Sequence, residues 1–425
     1  MTADPMHSPA RLYGRDDPRG IHDPHDRLLG DRAALDSAAK LAAETFSARA
    51  DDYDRRAAFP AEDFDDLFAA GLLAAAVPRE YGGLGFGPQQ RNTLPLWEMT
   101  TTLASADLSL ARCWEGHANS LVLIDALGTP EQKRRWFTGV VERGEKWVAW
   151  SGEPRAPKPG ETSRFGTTLT PVDGGWTVRG TKAFATSATG AQWAILFVDP
   201  AGPGGARHAH TARSDRAAGS ELLMLACDLS DPTVAVDSSW WDPVGMRATV
   251  SHMVRFDDTF IPRDHLIGPP GCYLAGHWQT AFVPHYAASF LGAAEAACSY
   301  GLAYLKKQGK QADPYVRQRA GSMTVNVDTA RLWLRHVAAL WDEGRVEEAG
   351  LAGSKARHVI EHLAEDTVHN CIRACGARSL VRPSPVERIL RDLTFYQRHD
   401  NDDHILAAIG RAALGEDYDP SFHKP

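Results

Sequence analysis

From about Asp31 to Gly144, apolar residues recur at three- and four-residue spacing, which predicts helices. In DRAALDSAAKLAAETFSARADDYDRRAAF the period is carried by Ala, Leu and Phe, with few breakers. Pro60 precedes AEDFDDLFAAGLLAAAVP, whose acidic start suits a helix N-terminus. GGLGFG at 82–87 interrupts the pattern. Helical spacing resumes in LPLWEMTTTLASADLSLARCWEGHANSLVLIDALG and restarts after Gly128, with Thr129 as N-cap and Pro130 at the first helical position. From about Lys146 the period changes to two. GWTVRGTKAFAT, AQWAILFVDP, GSELLMLACDLSDPTVAVDSSW and SHMVRFDDTFIP predict strands up to Pro262. Within that region Ala201 to Gly219 has no period and reads as a mobile surface loop. After GPPG at 268–271 helical spacing returns almost to Gly415. The expected organisation is a polar arm (1–29), a helical domain (30–145), a β domain (146–264) and a second helical domain (265–425).

A chain of 425 residues exceeds one typical core, in keeping with several packed regions. With 46 Lys and Arg against 54 Asp and Glu, the net charge of -8 gives no electrostatic reason to expect nucleic acid or an anionic membrane. Small molecules and other copies of the chain are the expected partners. Six cysteines without a CxxC pair imply a reducing cytoplasm. The N-terminus lacks an apolar leader segment, and no apolar run is long enough to cross a bilayer. GGLGFG is not GxGxxG and follows no βαβ pattern, which argues against a nicotinamide site.

The chemistry concentrates in ILRDLTFYQRHDNDDHILAAIG, 389–410. Val386, Ile389, Leu390 and Leu393 form one apolar helical face, and Asp402 or Asp403 is placed to cap the next helix. His399 and Asp400 remain at the break between helices. No metal is expected: the glycine of a calcium loop and the HExxH pattern are both missing. A solvated turn and an acid/base pair both stay open on these residues alone.

The segments GLLAAAVPREYGGLGFG, LIDALGTPEQKRRWFTGVVERGEKWVAW, RGTKAFATSATGAQWAILFV, DPVGMRATVSHMVRFDDTFIP and RDLTFYQRHDNDDHILAAIGRAALG, in this order, resemble the acyl-CoA dehydrogenase superfamily over about residues 30–415. That resemblance implies a mostly α fold with a central β domain: an N-terminal helical domain, a middle β-barrel and a C-terminal four-helix bundle. It also implies flavin between the last two domains and a homotetramer. His399-Asp400 and the preceding Gly376-Ala377-Arg378 are similar to the flavin-dependent monooxygenase branch, typified by dibenzothiophene monooxygenase. The implied activity is oxygenation of a small or carrier-bound substrate with O2 and reduced flavin, FMN or FAD, supplied by a partner reductase. YLKKQGKQADPYVRQRAG lacks the dehydrogenases' Arg-x-x-Phe-Gly, which favours FMN or borrowed reduced flavin over tightly held FAD.

On this resemblance His399 and His117 form the acid/base pair and Asp400 orients His399 or touches substrate. From the residues alone, His117 reads as a core histidine satisfied by a backbone carbonyl. The flavin pocket is expected to hold Trp150, Ser151, Phe184, Thr186, Ser187, Arg247 and Gly376, with Phe184 near the ring system and Thr186 and Ser187 as hydroxyls beside it. Gly152 looks like an insertion before Glu153-Pro154, and Thr249 shares the strand of Arg247. Two alternatives remain: an acyl-thioester dehydrogenase or oxidase with Asp400 as the α-proton base, and a flavin-binding protein without turnover.

Overall fold

The computed structural model describes residues 24–154, 166–199, 222–399 and 402–418. Asp400, the loop 201–219 and most of the N-terminal arm lie outside these residues. Among the described residues, six helices precede the first strand: α1 (Pro24–Leu41), α2 (Ser47–Arg56), α3 (Ala61–Ala69), α4 (Thr93–Ala106), α5 (Leu108–Leu127) and α6 (Pro130–Arg143). α1 begins inside the segment expected to be an arm. The start of α6 follows local chemistry: the Thr129 hydroxyl accepts from the Gln132 N–H, and the Gln132 side chain accepts from the Thr129 N–H. α5 is buried nearly all round, so its polar residues must find partners inside the protein.

The strands β1 (Trp147–Trp150), β2 (Thr168–Val172), β3 (Gly175–Ala185), β4 (Trp193–Val198), β5 (Leu223–Asp228), β6 (Val234–Asp237) and β7 (His252–Pro262) follow. They form the middle β domain as two sheets, ordered β1-β4-β5 and β2-β3-β7-β6. Val148, Trp150, Val178, Leu196, Leu225 and Phe256 share the core between them. β3 carries a buried lysine, Lys182, whose ammonium meets Glu153 at 2.6 Å and the Phe197 carbonyl at 2.8 Å. Those partners make its burial tolerable and fix the loop after β1.

The remaining helices are α7 (Cys272–Ala275), α8 (Trp278–Lys307), α9 (Pro314–Asp342), α10 (Val346–Cys375), α11 (Pro385–Tyr396) and α12 (Asp402–Ala413). α8, α9 and α10 with the broken pair α11 and α12 make the four-helix bundle. α12 starts at Asp402, so its capping position falls on Asn401, outside the described residues. α11 touches all three regions. Arg388 meets Asp107 at 3.0 Å, Arg391 meets Asp54 at 2.8 Å, and the Met246 N–H donates to Asp392 at 2.6 Å. The β-domain loop reaches α11 closely because residue 245 is glycine: a Cβ there would lie 2.2 Å from the Arg391 carbonyl oxygen. Gly245→Ala is therefore expected to lower stability by about 1–3 kcal/mol through overpacking, read as a lowered denaturant midpoint at unchanged slope.

Candidate active site

The β domain ends its contribution in a strained turn. Phe184 (φ 51°), Ser187 (φ 60°), Met246 (φ 57°) and Val250 (φ 42°) all occupy the left-handed region, which is unusual for a bulky residue and an outlier for β-branched Val250. The strain turns Phe184 out of a buried strand, leaving it 57% exposed with its ring 4.9 Å from that of Trp240. Trp241 joins them, its ring 6.4 Å from Phe184, and 5.8 Å from Phe395 on α11. An aromatic wall thus runs from β3 to α11, the helix that precedes His399.

The polar members of the pocket collect behind this wall. The Trp150 indole N–H donates to the Thr186 carbonyl at 3.0 Å. The Ser187 N–H donates to the Thr249 carbonyl at 2.8 Å, while its buried hydroxyl lies beside the Cys113 thiol without a well-formed hydrogen bond. Ser151 is exposed in the loop after β1. Gly152, suspected as an insertion, is a close-approach position: its carbonyl accepts the Ala183 N–H, and a Cβ would lie 2.4 Å from the Ala183 oxygen. Trp150, Ser151, Phe184, Thr186 and Ser187 therefore come together.

Three expected members take other positions. The Arg247 guanidinium crosses to α2, donating to the Asp54 carbonyl at 3.1 Å and pairing with Asp242 at 2.6 Å, so it binds domains together. Gly376 ends α10 with φ 76°, and its carbonyl accepts from the Ser379 N–H and hydroxyl; no described contact joins it to Phe184 or Thr186. His117 is buried in α5 with both ring nitrogens engaged by backbone: Nε2–H donates to the Leu73 carbonyl at 2.9 Å, and Nδ1 accepts the Trp147 N–H at 3.0 Å. It couples the helical domain to β1 in place of pairing with His399.

His399 closes the short turn after α11 and is exposed, its ring 5.0 Å from Tyr286 and 5.9 Å from Tyr396. Below those tyrosines lies a buried polar set. The Tyr396 hydroxyl donates to Glu115 at 2.6 Å, Ser289 adds a bond at 3.3 Å, and Arg112 pairs with Glu115 at 3.3 Å. The Arg112 guanidinium sits 5.9 Å and 5.7 Å from the centroids of the Tyr286 and Tyr396 rings. Burial, opposed by Arg112 and the Tyr396 hydroxyl, pushes the Glu115 carboxyl above its ordinary pKa. Arg112, Glu115, Tyr286 and Tyr396 were missed from sequence. Their signal was two opposite charges three residues apart inside an apolar helical run. Separately, the carboxylates of Asp51, Asp54 and Glu387 converge, but they face Arg55, Arg382 and Arg391.

Two family models match the chain: the N-terminal domain of acyl-CoA dehydrogenase over residues 30–144 and the C-terminal domain over 285–403. Dibenzothiophene monooxygenase of Rhodococcus qingshengii is 25% identical, with 93% of this chain and 96% of that protein covered. The putative acyl-CoA dehydrogenase YdbM of Bacillus subtilis (strain 168) is 26% identical, with 83% and 88% covered. In structure, FMN-bound TdsC from Paenibacillus sp. A11-2 superposes with a TM-score of 0.81 at 24% identity, over 92% of this chain and 100% of that one.

Burial pulls the His117 pKa down from 6.5 to about 4. A folded-state value below the unfolded one means stabilisation that is complete above pH 6.5 and lost as pH falls through 4. Replacing His117 with Gln removes that dependence. The stability advantage of wild type over His117→Gln should shrink by about 3 kcal/mol from pH 7 to pH 4, measured by urea unfolding at each pH.

Proposed function

This chain belongs to the acyl-CoA dehydrogenase superfamily, and we propose that it acts there as a flavin-dependent monooxygenase, using reduced flavin and O2 to oxygenate a small-molecule substrate. The observation that carries the reading is the imidazole at the end of α11, set over two tyrosines backed by the Glu115–Arg112 pair. An imidazole can take a proton from a nucleophilic substrate or return one to a leaving oxygen. The likeness to dibenzothiophene monooxygenase along nearly the whole chain supports the same class.

The residues present fit a flavin. The exposed Phe184 ring and Trp240 offer an aromatic edge, and the Trp240 indole nitrogen and Ser187 hydroxyl are buried polar atoms without well-formed bonds. When bound, reduced flavin supplies two electrons and the activation of O2. Phe184, Ser151, Thr186 and Ser187 hold and orient it, the aromatic wall excludes water, and His399 moves the proton. FMN is the favoured form, as in TdsC, and a separate reductase delivers it reduced. Six unpaired cysteines suit a reducing cytoplasm, and no helix among the described residues is long and apolar enough to cross a membrane. The homotetramer that the resemblance implies would cover Val325 and Leu332, seven residues apart on α9 and both more than 60% exposed.

Mixing the protein with reduced FMN, isotope-labelled O2 and indole or dibenzothiophene as probes should give labelled product by mass spectrometry. His399→Ala should lower that yield by about 100-fold or more while FMN still binds, and an unchanged yield would remove His399 from the mechanism. Bleaching of bound flavin by an acyl thioester, without oxygen incorporation, would transfer the assignment to a dehydrogenase. Leu332→Asp should reduce the mass measured by light scattering, since a charge in a buried apolar interface is unfavourable; an unchanged mass would take this face of α9 out of the assembly.

A further inference from the structure

Two helices that are otherwise closed to solvent open at one point. From Leu108 to Asp125, α5 is buried except at Arg112 and Gly116, and from Thr280 to Ala294, α8 is buried except at Tyr286. Arg112 and Gly116 are four residues apart and so share one face of α5. The Arg112 guanidinium stands 5.9 Å from the centroid of the Tyr286 ring, and the His399 ring lies 5.0 Å from that same ring. A Cβ added at Gly116 would meet, outside its own helix backbone, only Arg112 Nη1 at 3.6 Å, so open space lies in front of this glycine. Arg112, Gly116, Tyr286 and His399 thus border one opening.

The cation at this opening is poorly neutralised. A guanidinium carries five N–H donors. Among the described residues Arg112 places one hydrogen bond, to Glu115 Oε1 at 3.3 Å, which is long for a charge-assisted bond. Glu115 is fully buried and spends its other oxygen on the Tyr396 hydroxyl at 2.6 Å and on Ser289 at 3.3 Å. The Tyr286 and Tyr396 rings attract the cation but leave its N–H donors unfilled. An anionic oxygen fills such donors, a carboxylate two at a time, and the bond is strongest where the surroundings are largely dry. A neutral molecule leaves the charge as it stands.

We propose that Arg112 selects the substrate, and that the molecule taken here is a small organic anion whose charge rests on the guanidinium in front of Gly116. The inference rests on the monooxygenase reading above and names the substrate class of that site. The Tyr286 ring touches both Arg112 and His399, so an anion held by the guanidinium keeps its body beside the imidazole assigned to move the proton. Neutral aromatic molecules can enter the same space, but they give the guanidinium no partner.

The test titrates the full-length protein, with and without FMN, with benzoate and with benzamide, probes of nearly the same shape that differ in charge. Wild type should hold benzoate roughly tenfold or more tightly than benzamide, the scale of one hydrogen bond to a charged group. Arg112→Gln combined with Glu115→Gln removes the cation without stranding its partner, and the affinity ratio should fall to about one. Arg112→Lys keeps the charge and should keep a preference for benzoate, which a merely structural role would not give. Gly116→Val leaves the ion pair in place and fills the space before it, so benzoate binding should be lost. Equal affinities in wild type, binding of neither probe, a preference unchanged in the double variant, or benzoate bound as before by Gly116→Val would each overturn the inference. FMN binding to the same samples reports separately on the flavin reading. A benzoate preference that follows Arg112 in a protein that binds neither FMN nor FAD keeps the anion site and sinks the flavin reading.

Discussion

One helix, α11, is gripped from two sides by buried charge, and the geometry of the cleft depends on that grip. Arg391 joins α2 through Asp54, Arg388 joins the start of α5 through Asp107 and the Ala106 carbonyl, and Asp392 holds the Met246 N–H of the β domain. Burial pushes the Asp392 carboxyl up to about 7, a measure of how costly this charge is to keep from water. Such clusters add little net stability, because desolvation offsets their attraction, yet removing one partner strands the others. Their value here is position. His399 lies about two turns beyond Asp392 on a chain with few alternatives, so the junction sets where its imidazole stands.

The same junction aligns the β domain. Met246 and Val250 are held in left-handed backbone, and between them Thr249 returns its hydroxyl to the Met246 carbonyl. That strain would relax in an isolated loop. Bonds from Asp392 at one end and Ser187 at the other hold it in place. Phe184 of β3 is exposed nearby, in a wall that also includes Trp240 and Trp241 from the loop before Gly245 and Phe395 of α11. The surface of the candidate site is therefore a product of domain docking, since no single segment contains it.

Much of the fold was legible along the chain. The change of period near Lys146 and its reversal after GPPG come from which faces are buried, and both survive in the structure because period follows secondary structure directly. The Thr129 cap and Pro130 were equally readable, being local chemistry. Phe184, Thr186 and Ser187, named from the resemblance, lie at the end of β3 and in the turn after it, and Trp150 of β1 bonds to that turn through its indole N–H. His117 shows where such reading stops. An imidazole in an apolar helix has the same letters whether it faces a cleft or two backbone groups, and only the approach of Leu73 and Trp147 decides. Arg247 is held by Asp54 and Asp242, and the Gly376 carbonyl by Ser379, contacts that the resemblance does not encode.

By itself, then, the sequence determined the helical, β and helical order, the Thr129 cap and the family to which the chain belongs. Each is written in local spacing or in segments whose order can be compared. Tertiary structure alone decided that Arg112 and Glu115 lie beneath His399, that Arg247 binds domains, and that the hydroxyls of Thr186, Ser251 and Thr249 stand in series up to the Met246 carbonyl. Direction in a hydrogen-bond chain depends on what terminates it. Here the terminus is a backbone carbonyl brought into range by a strained loop, which residue types and spacing do not encode in any readable form.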